Sequence, residues 1–359
     1  MSNVWGKNIR LSVFGESHGS AVGMVLDGLP PGFAPDWAEV ARNMKRRAPG
    51  NNPWSTPREE SDEWEILSGF FQGKATGTPL CAVIKNQGQR GGDYTPNLIR
   101  PGHADFTAYY KYRGNADYRG GGHFSGRLTA PLVLAGSLAG QILRERGIMA
   151  GARIINVGGV KDAFMPIENI MEVSRREFPV YDEKAAVAMQ KAILQAKADK
   201  DSLGGIIECA ALGIPIGLGE PFFASLESVI SAMMFSIPAV KGIEFGDGFA
   251  LADKRGSEAN DQLYMDEQRP AFLSNHSGGI NGGLSNGQPL VFRIVVKPTP
   301  TIGREQTTVD IVKGETVKTA FKGRHDPCIV PRAAPVAEAG LALCLWDCLL
   351  DKFKEGAKL

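Results

Sequence analysis

Strand-like segments in this chain come in neighbouring pairs, and helix-like segments fall between the pairs. Residues 9–14 and 22–27 alternate apolar and polar side chains, with Gly15 to Gly19 as the turn between them. Further strands are expected near 64–70, 80–86, 204–214, 240–246 and 289–297, and Ser285-Asn286-Gly287-Gln288 reads as a hairpin turn. A helix is expected from Asp36 to Arg47, where Glu39 completes a capping-box pattern. Others are expected over 128–146, stopped by Gly147, over 182–200 and over 334–354. Residues 51–62 read as a polar loop, and 252–270 as a mobile loop or lid. This order favours antiparallel sheets layered against helices, an α+β fold, over a βαβ repeat.

The composition narrows the classes. Length alone, 359 residues, suggests about two domains. The formal net charge of +1 gives no basic field for nucleic acid. No uninterrupted apolar run approaches the ~20 residues of a membrane helix, and MSNVWGKNIR has no apolar signal core. Five cysteines without a CxxC pair fit reduced thiols in a cytosol, and Cys344 and Cys348 read as core packing on a helix. The unusual feature is 44 glycines, many clustered, which signal tight turns and close backbone approach.

All five histidines sit in Gly- or Pro-punctuated loops: GESHG, RPGHAD, GGGHFSG, SNHSGG and GRHDPC. They are His18, His103, His123, His276 and His325, and no two have the spacing of a zinc site, so no metal is expected. Proton transfer near neutral pH is their other use. Arginines accompany them: Arg100 before His103, Arg119 and Arg127 around His123, Arg324 before His325, with Arg46 and Arg47 in RNMKRR. Guanidinium forks match carboxylates and phosphates, which suggests a local polyanion site. Glu16, Asp105 and Asp326 are the nearby carboxylates that could act as bases, and Glu16 and Asp105 could equally cap turns. RGGGHFSGR, residues 119–127, leads into a helix, where unpaired N–H groups receive anions; a glycine turn with Ser125 as N-cap is the plainer reading.

Taken together, these loops resemble chorismate synthase. The matching strings run in order along essentially the whole chain: FGESHG at 14–19, DGLPPG at 27–32, RPGHADFT at 100–107, DYRGGG at 117–122, GLGEP at 217–221, AVKGIEFGDGF at 239–249, SNHSGGINGG at 274–283, KPTPT at 297–301 and KGRHDPC at 322–328. The resemblance implies one domain over 1–359, a β-α-β sandwich with helices between two antiparallel sheets, and a cytoplasmic homotetramer. It implies a lyase that takes 5-enolpyruvylshikimate 3-phosphate to chorismate and phosphate by a 1,4-anti elimination, with reduced FMN (FMNH2) and no net redox change. Some members also reduce their flavin with NADPH. No GxGxxG opens a βαβ unit here, so an external flavin reductant is expected.

By the same resemblance, His103 protonates the departing phosphate, His18 serves the flavin's protonation, and Asp326 works with the flavin to remove the ring proton. Ser17 and Ser125 support the proton path. Arg47, Arg100, Arg127 and Arg324, with His18, hold substrate anions or the flavin phosphate. Flavin contacts carry over to His123, Phe124, Ser125, Pro238, Ala239, Gly278, Lys297, Pro298, Thr299, Pro300, Thr301 and Arg324. The family's GGRSSAR loop reads GGHFSGR here, a usual arginine is Pro53 with Arg58 as candidate substitute, and Pro238 replaces a common asparagine. The competing reading is a catalytically silent binder of flavin or phosphosugar, whose mark would be a missing His18, His103 or Asp326. A phosphotransferase would want GxxxxGK[ST], which is absent.

Overall fold

The structure is a computed structural model of the chain and describes residues 3–50, 52–56, 60–87, 94–321 and 323–354. The strands β1 (Val4–Trp5), β2 (Arg10–Gly15) and β3 (Ala21–Asp27) open an antiparallel ladder in which Arg10 faces Asp27 and Gly15 faces Val22. The expected hairpin is therefore present, and its alternation buries Leu11, Val22, Met24 and Leu26. The helix α1 (Trp37–Arg47) follows. The Asp36 carboxylate caps it, accepting from the N–H groups of Ala38 at 2.9 Å and Glu39 at 3.1 Å. Glu39 does not close the capping box; it turns to Arg144, and the Asp36 N–H donates to Gln141 Oε1 at 2.8 Å. Tertiary partners outcompete the local one. After β4 (Trp64–Ser68) comes the small hairpin β5 (Phe70–Phe71) and β6 (Lys74–Ala75), then β7 (Leu80–Lys85). The first five-stranded sheet has the order β1-β2-β3-β7-β4.

The short α2 (Asp105–Lys111) and the long α3 (Thr129–Arg144) lead into β8 (Met149–Val157) and β9 (Val160–Lys161). Then come α4 (Ile170–Ser174), α5 (Glu183–Ala198), β10 (Gly205–Leu212), α6 (Leu226–Ser236) and β11 (Val240–Phe245). The 252–270 segment forms α7 (Gly256–Ala259) and the hairpin β12 (Leu263–Asp266) and β13 (Arg269–Phe272), not an irregular loop. A second hairpin, β14 (Ile280–Asn281) with β15 (Leu284–Ser285), turns at Gly282 and Gly283, both at positive φ. Ser285 to Gln288 therefore links that hairpin to β16 (Leu290–Val296) in another sheet, rather than turning a hairpin itself. The hairpin of β17 (Glu305–Asp310) and β18 (Glu315–Ala320) precedes α8 (Val330–Lys354). The second five-stranded sheet has the order β11-β16-β10-β8-β9, with every pairing antiparallel.

Between the sheets lie α3 and α8. The first packs on β2, β3 and β7, the second on β8 and β10, and the two helices pack on each other. This is the α+β layering that the segment order favours and the sandwich that the resemblance implies. Thr129 through Ala139 are all buried, as expected of a helix with protein on every side. Gly136 makes the crossing possible, since a Cβ there would stand 2.3 Å from the Ala339 Cβ. Val330–Asp351 is long and apolar enough to cross a bilayer, with mean hydropathy 1.5, but it is mostly buried inside the sandwich. Burial also pushes up the thiols of Cys344 and Cys348, the latter to about 12.

Candidate active site

Loops from both halves of the chain enclose a cavity of about 1650 Å³. A single small-ligand site holds ~300–1,000 Å³, so this one has room for two ligands side by side. On one side lies the glycine loop. Gly120, Gly121 and Gly122 have φ of 59°, 94° and 52°, a left-handed run that side chains resist. What crowds that backbone is imidazole. A Cβ on Gly120 would lie 2.2 Å from His18 Cε1, and one on Gly121 would lie 3.1 Å from His103 Nε2. The bare backbone is a floor for two histidine rings. Ser125 then caps the following turn, its Oγ accepting from the Arg127 N–H at 3.2 Å.

His103 belongs to a tight group on the turn before α2. Its Nδ1 lies 2.7 Å from Asp105 Oδ1, and Arg100 donates to both Asp105 oxygens at 2.7 Å through Nε and Nη2. Burial works to raise the Asp105 pKa, but hydrogen bonds with His103 and Arg100 outweigh it and hold the carboxyl well below the usual range. An anionic Asp105 takes the Nδ1 proton of His103 as a hydrogen bond and leaves Nε2 for exchange. Asp105 is thus neither a free base nor only a turn cap.

The arginines are already paired. Arg47, at the end of α1, gives Nε and Nη2 to Asp62, with Nε at 2.8 Å. Arg127, just before α3, bonds the other Asp62 oxygen and sits 2.9 Å from Glu60 Oε2. Its Nε donates to Asn86 Oδ1 at 2.8 Å and its Nη2 to the Lys85 carbonyl at 3.2 Å. Asp62 has no exposed side-chain surface and sits at φ 52°. Burial lowers the Arg47 pKa while Asp62 opposes that shift. Arg127 thus reads as a keystone whose nitrogens are spoken for, and the segment expected to be a plain loop supplies the shared counter-ion.

The third group stands on the loop before α8. Arg332 Nη1 donates to Asp326 Oδ2 at 2.6 Å, Arg332 Nε donates to the Arg47 carbonyl at 2.9 Å, and Thr299 Oγ1 donates to the Asp326 carbonyl at 2.6 Å. Asp326 Oδ1 is buried and has no hydrogen-bond partner among the described residues.

Most of the expected site residues meet here. His103, Asp326, Ser17 and Ser125 line the cavity, as do Arg47, Arg100, Arg127 and Arg324. So do His123, Phe124, Pro238, Ala239, Lys297, Thr299, Pro300 and Thr301. His123 Nδ1 donates to the Gly15 carbonyl at 2.8 Å. Three do not line it. His18 lies behind Ser17, its Nδ1 3.2 Å from Ser17 Oγ and its ring edge-on to Tyr94. Pro298 lies on the far side of its loop, and Gly278 packs on Gly246 and Val291. Pro53 is not in the lining, and Arg58 falls outside the described residues. Residues 252–270 contribute nothing to the lining, so that segment does not cover the cavity as a lid. Glu60, Asp62 and Arg332 were not anticipated. Their only sequence signal is charge in a polar loop and at the start of an apolar helix.

A family model for chorismate synthase matches residues 9–350. The chorismate synthase of Porphyromonas gingivalis is 47% identical over 356 residues, covering 97% of this chain and 95% of that one. Those of Methanosarcina mazei and Methanocaldococcus jannaschii are 44% and 42% identical, covering 97% and 98% of this chain and 96% and 97% of their own. A crystal structure of chorismate synthase superposes with a TM-score of 0.75 at 28% identity, covering 97% of this chain and 93% of that one. Sandwich, cavity and ordered loops thus agree with whole-length similarity, and the chain belongs to the chorismate synthase family.

Proposed function

We propose that this chain eliminates phosphate from 5-enolpyruvylshikimate 3-phosphate to give chorismate, using reduced FMN without net redox change. Membership of the family makes it a lyase of aromatic amino acid biosynthesis. The observation that carries the finer reading is an acid and a base in one large cavity. His103 is oriented by Asp105, and Asp326 presents an oxygen with no partner among the described residues.

The residues fit a flavin beside the substrate. The cavity exceeds the volume one ligand needs, and a buried carboxylate oxygen lacks a partner among the described residues. Lys297, Thr299 to Thr301, Ala239, His123 and Arg324 would hold the cofactor, with Pro238 contributing backbone. Bound reduced flavin supplies electron density that assists phosphate departure from the allylic carbon. The chain's own residues do the rest. Arg47, Arg100 and Arg324 hold the substrate's carboxylates and phosphate. His103 Nε2 delivers a proton to the departing phosphate. Ser17 Oγ passes protons between the cavity and His18 behind it. Asp326 receives the ring proton. Ser125 fixes the loop that carries His123 and Arg127.

The same reading makes the protein a cytoplasmic homotetramer whose 359 residues act as one domain, supplied with flavin by an external reductant. The test is anaerobic phosphate release with reduced FMN, with oxidised FMN, and with oxidised FMN plus NADPH. Release with reduced FMN alone is expected. Release in the NADPH arm would remove the external reductant, and bound flavin without release in any arm would mark a silent binder.

A further inference from the structure

We infer that Arg332 is a positioning residue for the elimination, holding Asp326 so that Oδ1 is the oxygen that accepts the ring proton. The inference rests on the reading of Asp326 as the base and says which atom acts and what keeps it in place.

The geometry is a three-point fixture. Thr299 Oγ1 holds the Asp326 main chain through its carbonyl at 2.6 Å. Arg332 Nη1 holds Oδ2 at 2.6 Å. Arg332 is itself anchored, because its Nε donates to the carbonyl of Arg47 at 2.9 Å. The cation therefore ties the loop carrying Asp326 to the end of α1, whose arginine faces the same cavity. With Oδ2 engaged, Oδ1 remains, buried and without a hydrogen-bond partner among the described residues. An unpartnered buried carboxylate oxygen is costly in a finished fold, and such atoms occur where a reaction uses them.

In the overall step the ring C–H bond breaks and its proton goes to Oδ1. The electron pair becomes a new ring double bond, the existing double bond shifts, and the C–O pair leaves with phosphate. No external oxidant or reductant is consumed.

The other charged or titratable groups on the cavity wall near Asp326, among the described residues, are Arg324 and His325 on the same loop, and Arg47, which is held by Asp62. The Cys328 thiol, pushed up to about 12 by burial, stays neutral at working pH.

The experiment measures kcat and KM for the parent, Arg332→Gln, Arg332→Lys and Asp326→Asn, with reduced FMN under anaerobic conditions. With the guanidinium gone Oδ2 loses its hold, and a misplaced base should lower kcat about tenfold or more in Arg332→Gln. KM should change less than about threefold, a KM-against-kcat split expected when ground-state binding is kept. Arg332→Lys, which keeps a cation but not the fork, should recover part of kcat. A rise in KM with kcat unchanged would make Arg332 a ligand-binding residue and overturn the inference, as would unchanged kcat and KM. If Arg332→Gln is insoluble, Arg332→Lys decides: a kcat below the parent's with KM kept supports the inference, and a parent-like kcat or a raised KM overturns it. Near-parent turnover in Asp326→Asn would instead defeat the base assignment itself.

Discussion

Asp62→Ala is expected to destabilise the fold by about 3–5 kcal/mol, the usual cost of removing one partner from a buried ion pair. The reason is the arrangement around that carboxylate. Arg47 and Arg127 both lean on it, and all three side chains are nearly or fully excluded from solvent. Without Asp62, two buried guanidiniums lie close together, and among the described residues Glu60, beside Arg127, is the carboxylate left in contact with them. Alanine is also a poor residue at φ 52°, whereas asparagine tolerates it, so Asp62→Asn separates lost charge from backbone strain. Against a total stability of roughly 5–15 kcal/mol, the alanine variant should show a much lower denaturation midpoint. The asparagine variant should retain most of that loss. A loss below about 1 kcal/mol in both would mean the arginines find other partners, and the shared counter-ion would not hold this corner together.

His103→Ala is expected to slow phosphate release roughly 100-fold or more, the usual scale for losing a positioned general acid. KM should move little, because the proposed function gives the substrate's anions to the arginines and not to this imidazole. The structure adds a reason for the size of the effect: Asp105 and Gly121 hold the ring from two sides. Steady-state release under anaerobic conditions reads this directly. Near-normal turnover would take His103 out of the mechanism.

Much of this was legible in the residue order. The hairpin at the N-terminus, the two long core helices and the paired strands follow from periodicity, because each buries one face or all faces consistently. What escaped had no such period. Met149–Val157 is buried on both faces for much of its length and contains a glycine, so it does not alternate. The hairpin Glu305–Asp310 with Glu315–Ala320 is mostly exposed and polar, and reads as loop. The site was legible where loops carry histidine beside glycine. The sequence could not say that those glycines serve the rings of His18 and His103, which arrive from distant segments. Nor could it show that Asp62, in a stretch of ordinary polar residues, closes on one arginine at the end of α1 and another just before α3. Long-range charge pairing leaves no local pattern.

The measurement closest to the central claim is the stoichiometry of anaerobic turnover with FMN kept reduced and substrate in excess. Phosphate and chorismate are quantified together, and the flavin spectrum is recorded before and after. The account predicts one chorismate per phosphate over many turnovers, with the flavin still reduced at the end. Flavin oxidised in proportion to product, or phosphate released without chorismate, would contradict it.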